Sequence, residues 1–128
     1  MEIKRNPELV EHYHFDFRLP EDKTETEMKV GFAPLKGKED FPEADSLLGC
    51  RLNFKLAFER FVISGAISQI NHLVDRKVEK QEDLTQEEIN ELALPLFKIV
   101  ERLTLEVTEI ATDRPGIRLN FFEGKSEQ

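Results

Sequence analysis

The stretch Arg51–Val74, RLNFKLAFERFVISGAISQINHLV, decides the fold class, because its first half alternates and its second half is apolar or small on both faces. Leu52, Phe54, Leu56 and Phe58 fall on one side, with Arg51, Asn53 and Lys55 between them. Period two is the mark of a half-buried strand. After a break at Glu59 and Arg60, residues 61–74 mix Val62, Ile63, Ala66, Ile67 and Ile70 with Ser64, Gly65 and Ser68. Such a run predicts a strand covered on both sides or closely approached by another backbone.

Two earlier segments alternate in the same way. In Glu11–Leu19, EHYHFDFRL, the apolar set is Tyr13, Phe15, Phe17 and Leu19, interleaved with His12, His14, Asp16 and Arg18. Met28, Val30 and Phe32 make a second strand that ends near Pro34. Lys36–Ser46, charged and containing Gly37 and Pro42, reads as a surface loop with Phe41 as its one large apolar residue.

Beyond residue 84 the period changes to 3.6. Thr85 followed by Glu88 is a capping-box signature. Ile89, Leu92, Leu96, Ile99, Leu103, Val107 and Ile110 then recur at three- and four-residue steps. Pro95 interrupts this stripe, which predicts a short helix ending near Leu94 and a long one from Pro95 to about Asp113. Pro115 and Gly116 stop the helix, and Ile117, Leu119 and Phe121 alternate in a short extended tail. Strands first and helix afterwards predict an α+β protein: a four-stranded antiparallel sheet with the two helices packed on one face. The 128 residues are read as a single domain, 1–128, with a loose tail from about residue 123.

Composition narrows the function classes. The formal net charge of −8 repels phosphate backbones and anionic lipid, so neither nucleic acid nor membrane is the expected partner. The single Cys50 leaves no disulfide framework and no common structural zinc pattern, which fits a reducing cytoplasm. No signal-peptide core and no run of about 20 apolar residues is present. The glycines are dispersed, with no phosphate-binding loop, and no cofactor is expected.

His12 and His14 on one strand face, with Asp16 or His72, are the residue types a metal-dependent hydrolase would use. His-X-His arises on any polar strand face, however, so no catalytic or metal site is assigned and the chain is read as not an enzyme. Cys50 reads as an inert thiol at a strand entrance. Ten Phe against one Tyr and no Trp suit dry burial or an apolar contact surface. Phe15, Phe17, Phe32, Phe54 and Phe58, facing Leu96, Ile99 and Leu103, are the candidate core or polypeptide-binding face. His12, His14, Asp16 and Arg18 are the candidate outer-face contact for a protein partner.

The order of elements resembles the SecB-like fold. Val10–Leu19 (VEHYHFDFRL), Thr26–Leu35 (TEMKVGFAPL), Ser46–Phe58 (SLLGCRLNFKLAF) and Arg60–Leu73 (RFVISGAISQINHL) are similar to its four strands. Leu94–Phe121, LPLFKIVERLTLEVTEIATDRPGIRLNF, resembles the SecB segment in which a Pro near the helix start precedes the main helix, a Pro-containing turn and an extended Leu-Asn stretch. More closely, the chain is similar to a small bacterial domain-of-unknown-function family assigned to that fold. The resemblance implies a cytoplasmic, cofactor-free homo-oligomer, dimer or tetramer, that binds unfolded or extended polypeptide. SecB carries a second, C-terminal helix with no counterpart before Gln128, and acidic residues for the ATPase SecA where this chain has the mixed set from His12 to Arg18. A SecA-docking role is therefore not expected. The alternative reading is a scaffolding or regulatory subunit.

Overall fold

The computed structural model describes residues 1–121. Among them five strands form one antiparallel sheet: β1 (Glu2–Arg5), β2 (Leu9–Phe17), β3 (Glu27–Leu35), β4 (Ser46–Ala57) and β5 (Phe61–Val74). Both β1 and β2 lie along the same side of β5, so the sheet is four strands wide, with β4 and then β3 on the other side. The extra strand corrects the sequence reading. Residues 2–5 are too short and too charged to show a period, and are held by pairing Ile3 with Leu73 and Arg5 with Asn71. Pro7, which cannot donate to a ladder, separates β1 from β2, and the Gln69 Nε2 amide donates to the Asn6 carbonyl at 2.7 Å in the gap.

The helices are also corrected. One continuous helix, α1, runs Gln86–Thr112 with Pro95 inside it, preceded by a 3-10 turn at Gln81–Asp83. Pro95 has no N–H to give the carbonyl of Glu91, four residues back. The Arg5 guanidinium takes that place: Nη2 donates to the Glu91 carbonyl at 2.8 Å. A side chain distant in sequence thus satisfies the acceptor that the proline orphans, and the helix continues.

The start of α1 is as expected. Glu88 N–H donates to Thr85 Oγ1 at 3.2 Å and Thr85 N–H to Glu88 Oε1 at 2.9 Å. Arg76 adds a fork onto the same carboxylate, with Nε and Nη2 each at 2.9 Å. Arg76 first, and the Thr85 N–H next, hold the Glu88 carboxyl at about 2, against an ordinary 4.5. A depressed carboxylate stabilises the fold above its unfolded value, and the contribution fades as pH falls toward the folded one. Denaturant titrations should therefore lose on the order of 1 kcal/mol between pH 5 and 2, allowing for solvent screening. In Glu88→Gln that part of the acid sensitivity should be absent.

Residues 1–96 and 97–121 form two compact units. In the first, Leu48, Leu52, Ile63, Ile67, Leu73, Leu92 and Leu96 are fully buried, with Phe32 and Phe54 close to it. Each fully buried aliphatic or aromatic side chain is worth roughly 1.5–3 kcal/mol. Gly65 sits opposite both Tyr13 and Phe54, and a Cβ there would collide with the His12 carbonyl and the Phe54 ring. Of the two alternatives that the Gly and Ser of β5 leave open, a close backbone approach is the one found at Gly65. Gly65→Ala should destabilise by about 1–3 kcal/mol, read from the denaturation midpoint, because the carbonyl lies on a paired strand and cannot rotate aside.

In the second unit the tail folds back along the helix. Ile117 N–H donates to Thr108 Oγ1 at 2.8 Å, Phe121 N–H donates to Glu101 Oε2 at 3.0 Å, and the Phe97 and Phe121 rings meet edge-on at 5.2 Å. Gly116 passes close enough that a Cβ would strike the Leu105 carbonyl. Residues 115–120 are irregular rather than a strand. The buried positions of this part of α1 are Val100, Thr104 and Thr108, not the whole apolar stripe, and Ile110 is 76% exposed. Thr108 is buried at low cost because its hydroxyl donates to the Thr104 carbonyl at 2.6 Å. The loose segment expected from about residue 123 lies outside the described residues.

Candidate functional site

The two edges of the sheet differ. On β3, the Phe32 N–H donates to Gln81 Oε1 at 3.4 Å, and Pro34 removes another donor. A blocked amide and a proline blunt an edge against further pairing. On β2 no described strand lies beyond the side away from β5, and the one irregularity is a bulge between Val10 and His12. The bulged Glu11 carboxylate is bridged by Arg51 at 2.9 Å.

Exposed apolar side chains stand at both ends of this strand, Leu9 and Val10 at its start, Phe17 and then Leu19 at its finish. Phe17 is 81% exposed, Leu19 62%, Leu9 61% and Val10 40%. Phe15 stacks on Phe61 with centroids at 4.7 Å, Phe58 lies 5.0 Å from Phe61, and Phe17 is 6.1 Å from Phe15. Beside the ridge is a depression of about 590 Å³ whose lining includes Phe17, Leu19, Pro20, Glu59 and Arg60.

The phenylalanines of the sequence reading therefore divide. Phe32 and Phe54 are core. Phe15 and Phe58 are half-buried, and Phe58 lies past the end of β4, where its N–H closes the β4–β5 turn on the Phe61 carbonyl at 2.9 Å. Phe17 is the exposed one. Leu96 is buried in the first unit, while Ile99 and Leu103, in the second, are half-buried.

The polar set divides too. His12 and His14 are exposed, with rings 5.5 Å apart, and Asp16 shares their face. Arg18 is half-buried and engaged within the chain. Its Nη1 donates to the Phe58 carbonyl at 2.8 Å, and its Nη2 donates to the Thr24 carbonyl at 2.8 Å, clamping residues 19–24 to the β4–β5 turn. No group of three or more His, Cys, Asp or Glu side chains among the described residues is placed to hold a metal ion. His72 is engaged elsewhere: its Nε2 is 2.7 Å from Asp45 Oδ2, and its ring is 4.7 Å from that of Phe41. Asp45, held below the usual carboxylate range by the Asp75 N–H and then by His72, is buried in a loop that reads from sequence as solvent-facing. Cys50 is buried, and burial pushes its thiol up to about 11 despite the Asn71 amide donating to Sγ at 3.4 Å. It stays protonated at neutral pH.

An antiparallel sheet followed by one long helix is the SecB-like fold. The SecB-like chaperone Rv1957 of Mycobacterium tuberculosis, solved in complex with a ChAD peptide from the Rv1956 HigA1 antitoxin, superposes with a TM-score of 0.53 over 93% of this chain and 90% of its own, at 8% identity. That likeness shows the fold alone. The chain belongs to the family described as "Protein of unknown function (DUF1149)", whose model matches residues 1–121. A protein of unknown function from Streptococcus agalactiae, known from its crystal structure, is 39% identical over 94% of this chain and 98% of its own, with a TM-score of 0.87. No curated protein matches. No helix among the described residues is long and apolar enough to cross a membrane.

Proposed function

We propose that this chain is a cytoplasmic, chaperone-like protein that binds extended polypeptide along the β2 edge, with Phe17 and Leu19 as apolar anchors. The observation that carries the reading is a ring 81% exposed at the end of an edge strand that is regular from His12 to Phe17 and has no described strand beyond it. Edge strands bind extended chains through main-chain hydrogen bonds, and side-chain contacts beside the edge give selectivity. The peptide held by the SecB-like neighbour supports the same class of ligand on this fold. The protein should suppress aggregation of an unrelated unfolded protein at near-stoichiometric amounts, followed by light scattering. Absence of suppression together with absence of binding to extended peptides overturns the reading.

A further inference from the structure

The loop between β3 and β4 is tied down through one imidazole. His72 stands on the face of β5 that pairs with His12 and His14, with Leu47 of β4 and Lys4 of β1 opposite it in the register. From the loop, Asp45 places Oδ2 2.7 Å from His72 Nε2, and the Phe41 ring lies 4.7 Å from the imidazole, tilted at 41°. The Asp45 side chain is 8% exposed, and its Oδ1 accepts the Asp75 N–H at 2.8 Å, so the carboxylate is fixed independently of His72. The loop is also folded tightly round Phe41, since a Cβ at Gly37 would strike that ring. His72 therefore holds the loop at two points four residues apart.

We infer that His72 is a pH-operated clasp, which holds the 37–45 loop shut when its imidazole is protonated and loosens it as the proton is lost. A charged imidazole gains on both contacts. Its bond to the carboxylate becomes charge-assisted, roughly twice as strong as a neutral one, and a cation within about 6 Å of an aromatic ring is attracted to it. Around the pair, β1 contributes Lys4 and, one pair further along the same face, Glu2; β4 contributes the apolar Leu47; and Lys77 Nζ donates to the Asp45 carbonyl at 3.5 Å. Lys4 and Glu2 oppose each other, so the carboxylate in direct contact decides. Histidine is the side chain whose charge changes near neutral pH, whereas Asp45 is held ionised there by the Asp75 N–H and by His72. A contact that favours the protonated form is strongest at low pH and weakens as pH rises. Phe41 also walls a depression of about 400 Å³ with Leu35, Leu47 and Val78, so release of the clasp uncovers apolar surface away from the β2 edge.

Amide hydrogen exchange of residues 37–45 at pH 5.5 and pH 8.0, corrected for the intrinsic effect of pH on exchange, tests this in wild type, His72→Gln and Phe41→Leu. Wild-type protection should fall by about tenfold from the lower pH to the higher, the difference between a charge-assisted bond and an ordinary one. In His72→Gln, whose amide still donates to Asp45, protection should not vary with pH. Phe41→Leu keeps the carboxylate contact and loses the ring, and the fall should shrink to about threefold. Unchanged protection of residues 50–56 in β4 shows that each variant is folded. Equal wild-type protection at the two pH values overturns the inference, as does a His72→Gln chain that keeps the wild-type pH dependence. An undiminished fall in Phe41→Leu overturns the two-point hold.

Discussion

Arg5→Ala should cost about 1 kcal/mol, and the cost should shrink by about 0.5 kcal/mol or more in a chain that also carries Pro95→Ala. The Arg5 guanidinium supplies the Glu91 carbonyl with the donor that Pro95 lacks, at 2.8 Å. The bond is solvent-exposed, so water takes over part of its role once Arg5 is gone, and the net contribution is that of an ordinary hydrogen bond, roughly 0.5–1.5 kcal/mol. An alanine at position 95 brings its own N–H to Glu91, so Arg5 is no longer the sole donor. Urea denaturation of the four chains gives the coupling directly. Strictly additive effects would mean that the arginine does not compensate the proline.

Phe17→Asp combined with Leu19→Asp should weaken binding of an extended apolar peptide by at least about tenfold while leaving stability within about 0.5 kcal/mol. Burying an aromatic or aliphatic side chain is worth roughly 1.5–3 kcal/mol, and each 1.4 kcal/mol is tenfold in affinity. Both side chains are already exposed in the free chain, so the fold has little to lose. Phe32→Ala and Phe54→Ala should behave in the opposite way, costing about 3–5 kcal/mol of stability because they empty the core. Titration calorimetry beside denaturation separates the two classes. Equal losses of stability at Phe17 and Phe54 would contradict the division of the rings.

The division explains what the sequence could show. Alternation identifies the face on which Phe15, Phe17, Phe32 and Phe54 lie, and in the observed register all four share one face of the sheet. It carries no information on where along a strand its neighbours stop covering it, so Phe17 and Phe54 read alike. Capping at Thr85 and the close approach at Gly65 were legible because each depends on residues near in sequence or on the absence of a side chain. The unbroken helix was not. It depends on Arg5, 86 residues from Glu91, reaching an acceptor no local rule names. The part-buried Asp45–His72 contact escaped for the same reason, since its partners come from a loop and a strand 27 residues apart. Thr104 and Thr108 were passed over because polar letters do not register in an apolar stripe, although at least the Thr108 hydroxyl is satisfied by the preceding turn of the helix.

At the centre of the account is the claim that β2 is the binding edge. Amide chemical-shift mapping, with an extended apolar peptide titrated into the isotope-labelled chain, tests it most directly. The largest changes should fall on residues 9–19, with the β3 edge nearly unmoved. Changes centred on β3, with residues 9–19 unmoved, would contradict it.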